Sequence, residues 1–172
     1  LVSNTGVVAS DQAAETGTAG TYLAACEYGG DKAIFAYGRG YTTITNLVSN
    51  AGVVASDGAG AGTARRSLAA CSYGGDKGIF GFGWNASAGL NMSNLVSNTG
   101  VVASDQAAET GTKRAYLAAC EYGGDKAIFG FGHTGSAYKN LTNLVSNVGV
   151  VASDQAATTG QIRDSIAACS FN

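Results

Sequence analysis

The sequence predicts an all-β repeat protein, and three observations carry that prediction. The octapeptide Tyr28-Gly29-Gly30-Asp31-Lys32-Ala33-Ile34-Phe35 returns at Tyr73 to Phe80 and at Tyr122 to Phe129, altered only where Gly78 replaces alanine. Leu-Val-Ser-Asn begins at positions 1, 47, 95 and 144, which sets spacings of 46, 48 and 49 residues. The composition, with 26 Gly, no Pro, 45% hydrophobic and 13% charged residues, suits buried strands joined by tight turns better than helices with solvated faces. Residues 1–172 are therefore read as one repeat domain whose units lean on their neighbours.

Each unit reads as four extended pieces. Thr45 to Ser49 runs into Asn50-Ala51-Gly52 and returns as Val53 to Ser56, and Asn-x-Gly between β-branched runs is a hairpin signal. Asp57 to Ala64, dominated by Gly and Ala, reads as a connection. Ser67 to Cys71 is a run of small side chains, suited to a crowded place where strands converge. The Gly-Gly-Asp turn then offers two residues free to take positive φ, at Gly29 and Gly30, Gly74 and Gly75, Gly123 and Gly124. Asp31, Asp76 and Asp125 are expected to bond local backbone amides within those turns. The following run alternates two faces: Ala127, Phe129 and Phe131 on one, Lys126, Ile128 and Gly130 on the other. Phe35, Phe80 and Phe129, beside Ile34, Ile79 and Ile128, are expected in the core. A single helical turn is the alternative to a loop over Ser104 to Thr112, ended by Gly111 and lacking an apolar stripe.

Four short strands every 46 to 49 residues is the arithmetic of a β-propeller blade. A β-solenoid is the alternative, although its coils are usually shorter. The chain opens on a third strand, Leu1 to Asn4, and ends with a first strand, Ser165 to Cys169. That makes fifteen pieces against the sixteen of a closed four-bladed ring, and residue 1 is Leu rather than Met. The expectation is a partial ring, completed by further blades or flanking chain.

The order Arg-x-x-x-x-x-Cys, Gly-Gly, Ile-Phe-Gly-Phe-Gly, variable loop and Val-Ser-Asn-x-Gly-Val-Val hairpin resembles a kelch-type repeat along essentially the whole chain. Arg65, Arg114 and Arg163 each stand six residues before a Cys and match the family's Arg, while Gly20 takes that place in the first unit. The wording of the repeats is similar to that in tailed-phage and other virion-encoded proteins. The resemblance implies a non-enzymatic structural or adhesion propeller on a virion or in an extracellular setting. The alternatives are an intracellular, cytoplasmic kelch-type protein-interaction module and a secreted glycan-binding propeller. Kelch rings that act as copper-radical oxidases need more His ligands than the single His133 can supply.

Charge and motifs narrow the function further. The net charge is −2, and the ten Lys and Arg are scattered, so no nucleic-acid footprint is expected. No apolar run is long enough to span a bilayer, where about 18 to 20 residues are needed. Cys26, Cys71, Cys120 and Cys169 all end an Ala-Ala-Cys tripeptide. One position used four times, without Cys-x-x-Cys pairs, reads as reduced, unpaired core filler rather than a zinc site or disulfide scaffold. Asp31-Lys32 and its copies repeat too regularly for a catalytic pair, since an active site needs one asymmetric constellation. Gly58 to Thr63 looks like a phosphate loop but lacks the Gly-Lys-Ser/Thr ending. No cofactor or metal is expected. Asp11, Asp57, Asp105 and Asp154, which follow the fourth pieces, are expected to pair with the next unit's Arg across the junction.

Differences between units are the remaining signal. The segments after the second strand read Arg39-Gly40-Tyr41, Trp84-Asn85-Ala86-Ser87 and His133-Thr134-Gly135-Ser136-Ala137-Tyr138-Lys139. A second variable set, Ala19-Gly20, Ala64-Arg65-Arg66, Lys113-Arg114 and Ile162-Arg163-Asp164, precedes the first strands. Strands that run up and down bring both sets to one rim. Arg39, Tyr41, Trp84, Asn85, His133, Tyr138 and Lys139 are thus the candidate contact residues, toward protein subunits or a surface glycan. Asn85, Asn91 and Asn140 also match the N-glycosylation acceptor pattern.

Overall fold

The computed structural model describes residues 2–3, 5–10, 17–106, 111–155 and 160–170. Asp11 and part of the Ser104–Thr112 segment lie outside the described residues. Within them the chain is all-β, with three antiparallel three-stranded sheets and no helix, so none that could cross a membrane. The first sheet joins β1 (Ala24–Tyr28), β2 (Lys32–Ala36) and β3 (Thr45–Val48) in that order. The second joins β4 (Ala69–Tyr73), β5 (Lys77–Gly81) and β6 (Ser93–Val96), and the third β7 (Ala118–Tyr122), β8 (Lys126–Gly130) and β9 (Thr142–Val145). Register is the same in each: Cys26 lies opposite Ile34, Cys71 opposite Ile79 and Cys120 opposite Ile128.

The expected fourth strand is reduced to isolated bridges, Val48 with Val54, Val96 with Val102 and Val145 with Val151, with Thr45 and Gly58 bridging again further along in the first sheet. Side chains explain why pairing stops. Asn46, Asn94 and Asn143 each donate Nδ2 to the carbonyl of Ala55, Ala103 or Ala152, and so replace the next ladder bond. Val53, Val101 and Val150 on the arm are exposed, so little burial rewards a longer strand. Ser165 to Cys169, the expected first strand of a fourth unit, forms no strand.

Sheets stack through opposite faces. Cys26, Tyr28, Ile34 and Leu47 of the first meet Leu68, Ala70, Phe80 and Val96 of the second. Cys71, Tyr73, Ile79 and Leu95 of the second meet Leu117, Ala119, Phe129 and Val145 of the third. Phe80 and Phe129 are wholly buried, but Phe35 is 37% exposed because its face lies at the end of the stack. Phe82 also departs from expectation. Its φ of 62° ends the alternation, so it turns from the face of Phe80 to meet Phe129 edge-on, with centroids 5.2 Å apart. Phe131, with φ 65°, turns likewise, toward Arg163.

The turns and the buried charges are tied differently from the sequence expectation. Asp31, Asp76 and Asp125 are held mainly by the adjoining Lys and by Asn50, Asn98 and Asn147 of the neighbouring hairpin rather than by local amides. Asp105 and Asp154 pair with the Arg of their own sheet, about forty residues upstream, and not across the next junction. The loop before each first strand crosses the end of its own sheet and brings Thr63 or Thr112 onto the same carboxylate. Arg65, fully buried, donates to Asn94 Oδ1 at 2.7 Å and to the Phe82 carbonyl at 2.8 Å, and its guanidinium lies 4.3 Å from the Tyr37 ring centroid of the preceding sheet. Arg114 repeats the Asn and ring contacts with Asn143 and Phe82 and pairs with Asp154 at 3.0 Å, but its Nε, the counterpart of the Arg65 donor to the Phe82 carbonyl, is buried without a partner. The first unit keeps Thr18, Asn46 and Asp57 without an Arg, Gly20 standing in its place.

Three predictions follow from this packing. Phe80→Ala should cost about 3–5 kcal/mol and Phe35→Ala no more than about 1 kcal/mol in denaturant melts; equal losses would contradict the placement of the two rings. The second concerns acid. Burial alone would raise the Asp105 carboxyl, but Thr63, Asn94 and Arg65 hold it below the ordinary carboxylate value, and Asp154 is held down likewise by Thr112, Asn143 and Arg114. On acidification the unfolded chain takes up these protons first. The contribution is therefore complete above about pH 4 and lost as pH falls through the lower folded values. Thermal melts should show Tm falling in that window, and Asp105→Asn should lower Tm at neutral pH while flattening the acid limb; an unchanged limb would speak against the clasp. The third concerns the thiols, all four of which are free. Burial pushes Cys26 up to about 12 and raises Cys71 and Cys120, while Cys169 is exposed. A thiol reagent should label Cys169 first, Cys120 next and the other two only on unfolding; fewer than four reactive thiols after denaturation without reductant would overturn this.

Candidate recognition surface

One end of the sheets carries the sequence differences, and short backbone pairings assemble it. Arg66 and Trp84 exchange backbone hydrogen bonds of 3.0 and 2.8 Å, and Ala115 and His133 do the same at the next unit. The segment before each first strand thus lies beside the segment after each second strand, as expected for a shared rim. A second set of bonds runs from unit to unit: Ser67 N–H to the Tyr22 carbonyl, Tyr116 to Ser67, and Ser165 to Tyr116, at 2.9, 2.8 and 3.0 Å. All four residues hold left-handed φ, between 51° and 59°.

This scaffold surrounds an open cleft of about 400 Å³ lined by Arg66, Trp84, Tyr116, His133, Tyr138 and Asp164, with Gly135 beneath the indole. His133 and Tyr138 rings lie 5.0 Å apart. His133 Nδ1 accepts the Gly135 N–H at 3.0 Å, which leaves Nε2 as the free ring nitrogen. Tyr138 is half exposed, at 51%. Arg66 extends the surface toward the first unit, its guanidinium 5.5 Å from the Tyr22 ring centroid and 5.3 Å from that of Tyr41. The arrangement offers flat apolar faces with a cation, a carboxylate and an imidazole along their edges. Such a surface stacks on the apolar face of a planar or ring-shaped ligand and bonds its polar rim.

The structure brings together Trp84, His133 and Tyr138, with Tyr41 attached through Arg66. It does not bring in the other candidates. Arg39 lines a separate small groove with Leu23 and Phe35 at the exposed end of the stack. Lys139 donates its backbone N–H to the Gly132 carbonyl and bridges Arg163, and it does not line the cleft. Asn85 Oδ1 accepts the N–H groups of Ser87 and Ala88 and shapes its own loop. Asn91 and Asn140, the other glycosylation-pattern residues, donate to the carbonyls of Gly111 and Gly160. Trp84 is half-buried rather than freely exposed: a methyl group on Gly135 would fall 2.7 Å from its Cη2. Its loop neighbour in the third unit therefore supports the indole.

Tyr22 and Tyr116 were missed by the sequence reading although a signal exists. Four residues before each Cys the chain alternates Tyr22, Ser67, Tyr116, Ser165, placing an aromatic on the rim at every second unit. Among the described residues no group of three or more His, Cys, Asp and Glu is placed to hold a metal ion. No protein-family model matches the chain, and no curated protein matches it.

Proposed function

We propose that the protein is a non-enzymatic recognition or adhesion module that presents the Trp84–Tyr116–His133–Tyr138 cleft to a surface glycan, built as a kelch-like, propeller-type fan of sheets. The cleft is the observation that carries this reading. Aromatic planes edged by Arg66, Asp164 and the His133 imidazole match the alternating apolar faces and hydroxyl rims of a sugar ring. The fan is supported by the contacts between units: β1 packs on β4 and β4 on β7, whereas no comparably close backbone approach joins β3 to β6 or β6 to β9 among the described residues. Sheets that touch along their inner strands and part along their outer ones radiate. Ala-Ala-Cys on the inner strands provides the small side chains that such convergence needs. The resemblance to kelch repeats of virion-encoded proteins adds a particle-surface or extracellular setting to the proposal.

Trp84 is the sole Trp of the sequence, so its fluorescence reports on the cleft directly. Titration with a panel of mono- and oligosaccharides should shift or quench that emission saturably for at least one sugar class. Tyr138→Ala should weaken the response by about fivefold without lowering Tm, because the loss of one stacking contact is worth roughly 1 kcal/mol. A panel that leaves the emission unchanged, with no retention on a glycan array, would remove the glycan reading.

A further inference from the structure

We propose that the glycan met by the Trp84 cleft is an acidic one, a sugar bearing a carboxylate, and that the Arg66 guanidinium selects it; this rests on the glycan reading of the cleft and adds the charge of the ligand. The buried guanidiniums of the fold are met by protein acceptors. Arg65 donates to the carbonyls of Phe82 and Thr63 and to Asn94, and Arg114 to the Thr112 carbonyl, Asn143 and Asp154. Arg66 differs. It is half-buried, its Nε is enclosed without a hydrogen-bond partner, and its side chain makes no hydrogen bond or ion pair among the described residues. The two terminal nitrogens are not enclosed in that way, so they are left to solvent. The Tyr22 and Tyr41 rings, 5.5 and 5.3 Å from the guanidinium carbon, attract the charge but offer its N–H groups no carboxylate or carbonyl. A positioned, partly desolvated cation with unmet donors is a receptor for an anion.

The repeat shows that packing does not require this cation. The same slot, one residue after Gly20, Arg65, Arg114 and Arg163, holds Thr21, Arg66, Ala115 and Asp164 in turn, so the body is built with or without a charge there. An asymmetric group in a periodic frame is what a ligand site needs. Asp164 also lines the cleft, but no ion pair joins it to Arg66. The cation is therefore not neutralised from within, and the carboxylate of Asp164 is left to accept sugar hydroxyls. Arg66 and Trp84 are bridged directly, and residues so paired project their side chains from one face. A pyranose carries its carboxylate on the rim of the ring, so stacking on the indole and pairing with the guanidinium serve one ligand. With Nε enclosed, the available edge is the pair of terminal nitrogens, whose parallel N–H groups match the two oxygens of a planar carboxylate.

The test compares matched ligands on the full chain by calorimetry: trigalacturonate against its methyl ester, and sialyllactose against its methyl ester. At least one acid should bind about tenfold or more tightly than its ester, and the pair that shows the difference tells a uronate from a sialate. Arg66→Met should bring that acid down to the affinity of its ester. Arg66→Lys, which keeps the charge without the planar fork, should lose about threefold or more. Because Arg66 packs on Tyr22 and Tyr41, Tm is measured for both variants; if either unfolds, the acid-against-ester comparison in the unmodified chain decides. Equal binding of acid and ester would overturn the acidic preference and leave the glycan reading standing, as would a preference that survives in a folded Arg66→Met chain. A 6-sulfated galactose trisaccharide that binds as tightly as trigalacturonate would overturn selection of a carboxylate. If neither acid nor ester binds while a neutral sugar of the panel does, the preference alone falls; if no sugar binds, the glycan reading falls with it.

Discussion

Sheet-to-sheet approach sets the terms for everything else in this chain. At Gly78 an added methyl group would lie 2.5 Å from Cys26 Sγ, and at Gly81 2.5 Å from the Phe129 ring, both inside the contact distance of real atoms. Sheets so close can be built only if one partner at each contact is nearly absent. The first strand of each sheet is therefore Ala-Ala-Cys, and the second sets Phe beside Gly or Ala. The thiols follow from the same constraint. Cysteine is a compact apolar side chain, and burial that raises the Cys26 and Cys71 thiols keeps them protonated and inert, as packing groups should be.

Close packing of apolar faces leaves the ends of the sheets to be sealed, and a buried cation performs that task. Arg65 and Arg114 cannot be solvated where they lie, so each is met by a carbonyl, an Asn and an Asp while its flat face covers an aromatic ring of the sheet before. One residue thereby fixes both the closure of its own unit and the seating of that unit on its neighbour. In the first unit Gly20 stands in place of the Arg while Thr18, Asn46 and Asp57 keep the clasp, so the Thr–Asp–Asn clasp forms without the Arg.

Much of this was legible in the sequence because it is periodic. The repeat gave the strand pairs, the Gly-Gly turns and their positive φ at Gly29, Gly30, Gly74, Gly75, Gly123 and Gly124, and the burial of Ile34, Ile79, Phe80 and Phe129. What failed was whatever depends on a neighbour that the period does not name. Phe35 repeats Phe80 in sequence but not in surroundings. Phe82 continues an alternation on paper, yet its backbone turns left-handed and reverses the face. Asp105 looks poised for the next Arg, but the chain folds back and delivers it to the previous one. Gly78, the one departure within the octapeptide, has Cys26 Sγ against it. The rim was foreseen from its variability, while the roles within it were not: Asn85 serves its own loop, Arg39 stands apart, and Tyr22 and Tyr116 were hidden by a period of two units.

The rim also shows how a repetitive body can hold a non-repetitive surface rigid. Tyr22, Ser67, Tyr116 and Ser165 take a left-handed conformation that costs a non-glycine residue roughly 1–2 kcal/mol. That strain persists because each is locked to the next by a backbone bond along the stack, with Arg66 lying over Tyr22 and Tyr41. Their side chains are accordingly fixed at the rim by bonds that do not involve those side chains. Sequence is free to vary there, Tyr against Ser and Trp84 against His133, without loosening the frame. A surface assembled on such a ladder would surrender little further entropy on meeting a ligand, and the proposed recognition role would draw on that rigidity.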